Sequence, residues 1–199
     1  PVDDLGAALQ VVLTGRDRRV DVGTIRCDDR GEEIFLVMAG IGVAAEIMDE
    51  ANETVKDTVG WPAYLLSGVR ALFHRGFPAE VLDGHNRPIR QAARTVVVGN
   101  CGTLTGGVQL MPDARLDDGL LDTVVLSPNG LLDWGAVAFD VVTGHRRGQR
   151  RLRRLVSASV EIRVGYPVEA QIDGDGIGEC RTLVCGVKPR ALLVRGAHP

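Results

Sequence analysis

Aromatic side chains are scarce, 4% of the 199 residues, and the formal net charge is -3. Few aromatics leave little to stack on the bases of a single-stranded nucleic acid, and a net acidic chain lacks the basic footprint of a general DNA binder. No nucleic-acid partner is therefore expected. The four cysteines, Cys27, Cys101, Cys180 and Cys185, form no Cys-x-x-Cys pair, and no neighbouring histidines complete a zinc set. They read as small buried hydrophobes in a reducing cytoplasm rather than as a disulfide framework. There is no signal-peptide pattern. The longest apolar run, Phe35 to Ala45, is interrupted by glycines and too short to cross a bilayer, so any membrane contact is expected to be peripheral. The glycine-rich stretch Gly99–Gly107 lacks the Lys-Ser/Thr ending of a phosphate-binding P-loop.

What is present is the composition of a globular chain, 45% apolar and 25% charged, of a length that one β-rich domain can fill. Leu5, Ala8, Leu9, Val12 and Leu13 recur at helical spacing, with Asp3 or Asp4 as N-cap and Gly15 past the end. Arg19–Ile25 and Glu33–Met38 read as strands around the turn Asp28-Asp29-Arg30-Gly31. Gly40-Ile41-Gly42-Val43-Ala44-Ala45 imitates a dinucleotide-binding turn, but no acidic-tipped parallel strand follows about 20 positions on, and a tight strand-to-helix turn is the better account. Two helices are predicted next, through Ile47, Met48, Ala51 and Val55 and through Trp61 to Phe73. A hairpin over residues 80–100 turns at Asp83-Gly84-His85-Asn86, and His85 reads as a solvated loop residue. Another helix is predicted to start at Pro128-Asn129 and close at Gly144.

Val160, Ile162 and Val164 alternate with polar residues, as do Val168, Ala170 and Ile172. Strands are expected again at Leu183–Val187 and Ala191–Val194. Such alternation predicts antiparallel sheets with one face on a core, that is, a mainly β (α+β) fold, a two-layer antiparallel β-sandwich with flanking helices. Between the apolar strands Val96–Val98 and Leu120–Leu126 lies a loop with Asp113, Asp117, Asp118 and Asp122. So much charge beside a core implies that the loop is solvated or holds a cation.

Asn100, Gly106-Gly107 and Pro112-x-Ala114-x-x-x-Asp118-Gly119-Leu120-Leu121-Asp122 resemble the C-terminal domain of the diacylglycerol kinase and sphingosine kinase superfamily, in its bacterial lipid-kinase branch. Arg19-Val20-Asp21-Val22-Gly23, Ile172-Asp173-Gly174-Asp175 and Pro189-Arg190-Ala191-Leu192 agree with it in order, so the resemblance covers nearly the whole chain. It implies one lipid-kinase C-terminal domain over 1–199. Residues 1–15 would then be a helix left over from the connection to a missing N-terminal nucleotide-binding domain, whose Gly-Gly-Asp-Gly-Thr loop this sequence does not contain.

The implied function is the lipid-binding, base-supplying part of an ATP-dependent lipid kinase that phosphorylates the hydroxyl of diacylglycerol or a related lipid in phospholipid metabolism, with the fragment alone inactive. Asp173 is implied as catalytic base, with Asp175 near the nucleotide and its Mg2+. Asp175 stands where the family more often has Glu. Asp118 is implied as ligand to a structural Mg2+, with main-chain carbonyls of Arg115 and Leu120, against the plainer reading of Asp117-Asp118-Gly119 as a solvated turn. Met48, Tyr64, Leu65, Val69, Leu72 and Phe73 offer an apolar surface for an acyl chain, or are simply core. ATP would be bound mainly by the missing domain. Six arginines fall between Arg146 and Arg154. They could attract anionic head groups at the inner membrane face, form a solvated face, or pair with the acidic loop. A homodimer stays open. Two other classes remain: an NAD-kinase-like kinase of a soluble substrate, and a non-catalytic lipid-binding module.

Overall fold

The computed structural model describes residues 4–42, 76–84, 88–102, 111–127, 133 and 152–196. The chain opens on helix α1, Leu5–Thr14, where Asp4 accepts the Ala7 N–H at 2.9 Å and the Gly15 N–H closes the end on the Val11 carbonyl. None of its residues is buried.

Ten strands follow: β1 (Arg16–Cys27), β2 (Glu33–Phe35), β3 (Met38–Gly42), β4 (Phe77–Leu82), β5 (Ile89–Ala93), β6 (Thr95–Gly99), β7 (Leu121–Leu126), β8 (Leu152–Ser157), β9 (Ser159–Ile172) and β10 (Asp175–Gly196). Every described pairing is antiparallel, and the strands run β2-β1-β10-β9-β3-β6-β7-β8, with β4 joining β9 and β5 joining β4. The domain is mainly β and sandwich-like, as the alternation predicts. Its layers are not separate sheets, because β9 pairs with β4 through Glu161–Val164 and with β3 through Ala170–Ile172, carrying one ladder from one part of the fold to another.

Period-two side-chain alternation explains how the β3-β6-β7 region buries both faces. Val96 and Val98 join the large core of Ile25, Phe35, Ile41, Ile162 and Leu183, while Val97 points into a smaller cluster with Met38, Met111, Val124 and Leu126. Gly99 makes that second cluster possible: a Cβ there would lie 2.2 Å from Met111 Cε. Gly23 does the same for Phe35, whose ring sits 2.3 Å from where a Cβ would be.

Several expected boundaries move. The segment expected as one strand over 33–38 is broken at Leu36-Val37 into β2 and β3, and that expected over 80–100 is three strands rather than two. In contrast, the expected strands at 160–164 and 168–172 are one strand, β9, and those at 183–187 and 191–194 are parts of the 22-residue β10. The breaks suggested by Gly165-Tyr166-Pro167 and Lys188-Pro189 are absorbed as register shifts, the first within the β9-β10 ladder between Cys180 and Thr182 and the second within the β1-β10 ladder between Val20 and Val22. The expected helices at 44–55, 61–73 and 128–144 lie outside the described residues.

Candidate active site

Asp173 and Gly174 form the two-residue turn between β9 and β10, closed by the pair Ile172 and Asp175. Both have positive φ, 49° and 107°, as the tightest hairpin turns require, which is why an Asp-Gly step stands there. The turn is held from below by Gln171, fully buried, whose Oε1 accepts the Gly174 N–H at 3.0 Å.

The Asp173 carboxylate does not hang free. Its Oδ2 accepts the Leu36 N–H at 2.7 Å, and its Oδ1 accepts the Val37 and Met38 N–H groups at 2.8 Å each. The Asp173 N–H in turn donates to the Met38 carbonyl. The break between β2 and β3 is therefore where the chain turns three amides toward one carboxylate. An ionised carboxylate has about four lone-pair directions, so one direction on Oδ2 stays open while the group is fixed in orientation. Asp175, two residues on, is exposed, and its carboxylate makes no hydrogen bond or ion pair among the described residues. It lines a groove of about 420 Å³ with Glu32, Glu33, Ile34, Ile172 and Ile177.

The acidic loop lies along β1. Asp21, 1% exposed, accepts the Gly119 N–H on Oδ2 and the Arg190 N–H on Oδ1, both at 2.7 Å, while its own N–H donates to the Leu116 carbonyl. Asp118 is exposed, and its Oδ1 accepts the Leu120 N–H at 3.0 Å, an Asx turn. Asp117 is paired with Arg18 at 2.8 Å and faces Arg115 at 3.4 Å; the Arg18 hydrogen bond holds its carboxyl below the usual range. Asp122, 8% exposed, is pushed the other way, first by burial and then by the charges of Asp118 and Asp113, with Arg154 opposing. Among the described residues no three His, Cys, Asp or Glu side chains converge as a metal group. Asp118 Oδ2 takes no hydrogen bond among the described residues, which leaves one carboxylate oxygen of the loop for a cation. Of the arginine cluster, Arg153 and Arg154 are described, and Arg154 faces Asp113 at 3.7 Å, which is pairing with the acidic loop. Met48, Tyr64, Leu65, Val69, Leu72 and Phe73 lie outside the described residues.

Asn100 completes the arrangement. It is 1% exposed, and its Nδ2 donates to the carbonyls of Asp21 and Leu36, each at 3.0 Å. Asp21, Asn100 and Gln171 carry no role from the sequence reading. The available signal was polarity inside apolar runs, Asp21 between Val20 and Val22 and Gln171 between Ala170 and Ile172.

A continuous antiparallel sheet with a two-sided core makes this a β-sandwich-like domain. Residues 36–196 match the model described as the YegS C-terminal NAD kinase beta sandwich-like domain, and the chain belongs to that family. A protein of Klebsiella pneumoniae (strain 342) named "Probable lipid kinase YegS-like" is 30% identical over 192 residues, covering 96% of this chain and 62% of that protein. A diacylglycerol kinase of Bacillus subtilis (strain 168) is 24% identical over 176 residues, covering 88% and 56%. A crystal structure of a diacylglycerol kinase from Bacillus anthracis str. Sterne superposes with a TM-score of 0.68 at 17% identity, over 100% of this chain and 60% of that one, and so shares the fold. The chain thus spans between 42% and 62% of the length of the first curated relatives it matches.

Proposed function

We propose that this chain is the acceptor-binding, base-supplying domain of an ATP-dependent lipid kinase that acts on the hydroxyl of diacylglycerol or a related lipid. The observation that carries the reading is the Asp173 carboxylate, fixed by three N–H groups at a hairpin tip with one lone-pair direction open, next to Asp175 and its groove. Phosphoryl transfer depends mainly on positioning and on neutralising charge, so a carboxylate already locked in place suits a base that takes the proton of an attacking hydroxyl. Asp175 lines the groove, where its charge would face a nucleotide and its Mg2+ brought by a separate nucleotide-binding domain. Asp118, with carbonyls of Arg115 and Leu120, would hold a second, structural Mg2+, whose part is to stiffen the loop along β1. The acyl chain would lie on Met48, Tyr64, Leu65, Val69, Leu72 and Phe73. No helix among the described residues is long and apolar enough to cross a membrane. Contact with the bilayer would be peripheral, through the arginines from Arg146 to Arg154.

The test is transfer of labelled phosphate from ATP to diacylglycerol, sphingosine and ceramide in Mg2+. This chain alone should label none of them. Joined to a nucleotide-binding domain it should label one, and Asp173→Asn should reduce kcat by about 10²–10⁴-fold, the usual contribution of a general base. Undiminished transfer by Asp173→Asn would sink the base assignment. Labelling of a soluble acceptor, or lipid binding without transfer, would replace the lipid-kinase reading itself.

A further inference from the structure

We propose that Asn100 is a positioning residue for Asp173, acting through the two peptide groups that lie between them. This rests on the reading of Asp173 as the base. The peptide joining Leu36 to Val37 presents its carbonyl to Asn100 Nδ2 at 3.0 Å and its N–H to Asp173 Oδ1 at 2.8 Å. The next peptide, Val37 to Met38, presents its carbonyl to the Asn100 N–H at 2.9 Å and its N–H to the same Oδ1 at 2.8 Å. Each peptide is a rigid plane, so fixing a carbonyl fixes the direction of the N–H on its far side. Hydrogen bonds at both ends of a peptide also polarise it, which strengthens each. Asn100 therefore aims two of the three donors that orient Asp173, the Val37 N–H through its side chain and the Met38 N–H through its own backbone N–H, and it is the side-chain part that a substitution removes.

The Asn100 side chain has little freedom to do otherwise. Two carbonyl acceptors, Asp21 and Leu36, fix which way the amide faces, since a flipped amide would turn its oxygen onto both. Asp21 is itself held by the Gly119 and Arg190 amides. Asn100 Oδ1 is buried with no hydrogen-bond partner among the described residues. Asp is nearly the same shape but has no donor, so Asn100→Asp would set an anion against two carbonyls, and Asn100→Ala would release both.

The experiment has two arms. In this chain joined to a nucleotide-binding domain, Asn100→Ala and Asn100→Asp should lower kcat by roughly 10- to 100-fold with KM for ATP within about twofold. In the Asp173→Asn background the same substitutions should cost less than about threefold, because residues acting as one unit do not add. Equal losses in both backgrounds, or a raised KM with kcat unchanged, would overturn the proposal. In this chain by itself, Asn100→Ala should speed hydrogen exchange at the Val37 amide at least tenfold, leaving Ile25 and Leu183 in the β1-β10 ladder unchanged. A uniform acceleration would mean that Asn100 serves only stability, which also overturns it. Should Asn100→Ala fail to fold, the Asn100 side-chain amide in the unsubstituted chain decides: protection from exchange is expected, and free exchange refutes. Absence of transfer from the unsubstituted chain joined to a nucleotide-binding domain would overturn the kinase reading, while the exchange arm would still decide whether Asn100 holds the Asp173 turn.

Discussion

Three aspartates do the same work at three irregular places in the backbone. Asp173 collects the Leu36, Val37 and Met38 amides where β2 gives way to β3. Asp28, itself at φ 51°, accepts from Arg181 and Thr182 where the β9-β10 ladder shifts register. Asp21 accepts from Arg190 and Gly119 where the β1-β10 ladder shifts between Val20 and Val22. Buried amides must find acceptors, and where a ladder slips, the neighbouring strand no longer supplies them. Asp21→Ala leaves two amides unpaired at a site 1% exposed and should cost about 3 kcal/mol in urea unfolding; a loss under about 1 kcal/mol would mean that water replaces the carboxylate. The cysteines give a second check at this scale. Cys27, Cys180 and Cys185 are buried in the main core, and burial raises all three thiols, Cys185 to about 12. Cys101 is half-buried. Iodoacetamide should therefore modify Cys101 in the native protein and reach the others only on unfolding, because the thiolate is the reacting form. Mass spectrometry of the native protein showing early modification of Cys180 would contradict that packing.

Among the elements, β7 and the acidic loop before it form a unit whose stability should depend on pH. The Asp122 carboxyl is raised by burial and by Asp118 and Asp113, so the folded chain holds that proton to higher pH than the unfolded one does. Stability from this group is then lost as pH rises from the ordinary carboxylate value through the raised one. Asp122→Asn removes the penalty: it should be more stable than the parent at pH 7 and equal to it near pH 3, as read from urea midpoints at both. The reverse order at pH 7 would show that the Asp122 charge is compensated by Arg154 or by a cation. Elements also show what a sequence reader can reach. The Asp173-Gly174 turn and the strands around it were legible because positive φ and period-two alternation leave marks in residue type. Helix α1, with its Asp4 cap and Gly15 stop, was legible for the same reason. The clamp on Asp173 was not, because its donors are backbone amides of Leu36, Val37 and Met38, more than 130 positions away, and any residue but proline supplies an N–H. The unity of β9 and of β10 was hidden too, since Gly165, Pro167 and Pro189 look like breaks when the partner strand that tolerates a bulge is not in view.

For the molecule as a whole, the long strands β9 and β10 decide how the domain comes apart. β10 pairs with β9 over its first half and with β1 over its second, and β9 pairs with β10, β4 and β3. The large core takes side chains from β1 through β7, β9 and β10 at once. A seam of independent melting needs a boundary that few contacts cross. Through the described strands there is none, because releasing β10 undoes the partner of β1 and of β9 together. α1 is the exception: Leu5, Leu9, Val12 and Leu13 are all more than half exposed and bury nothing in the core. Urea unfolding should therefore give one transition when followed by far-ultraviolet circular dichroism and by hydrogen exchange of the β1, β7 and β10 amides, with only the α1 amides exchanging below it. Folding should be slow, on the order of milliseconds to seconds, since strands such as β1 and β10 must close very long loops before they pair. Two separated transitions among the strand amides would show that β9 divides the sheet into independent halves, and the hydrogen-bonded path from Asp21 through Asn100 to Asp173 would then join two units that can move apart.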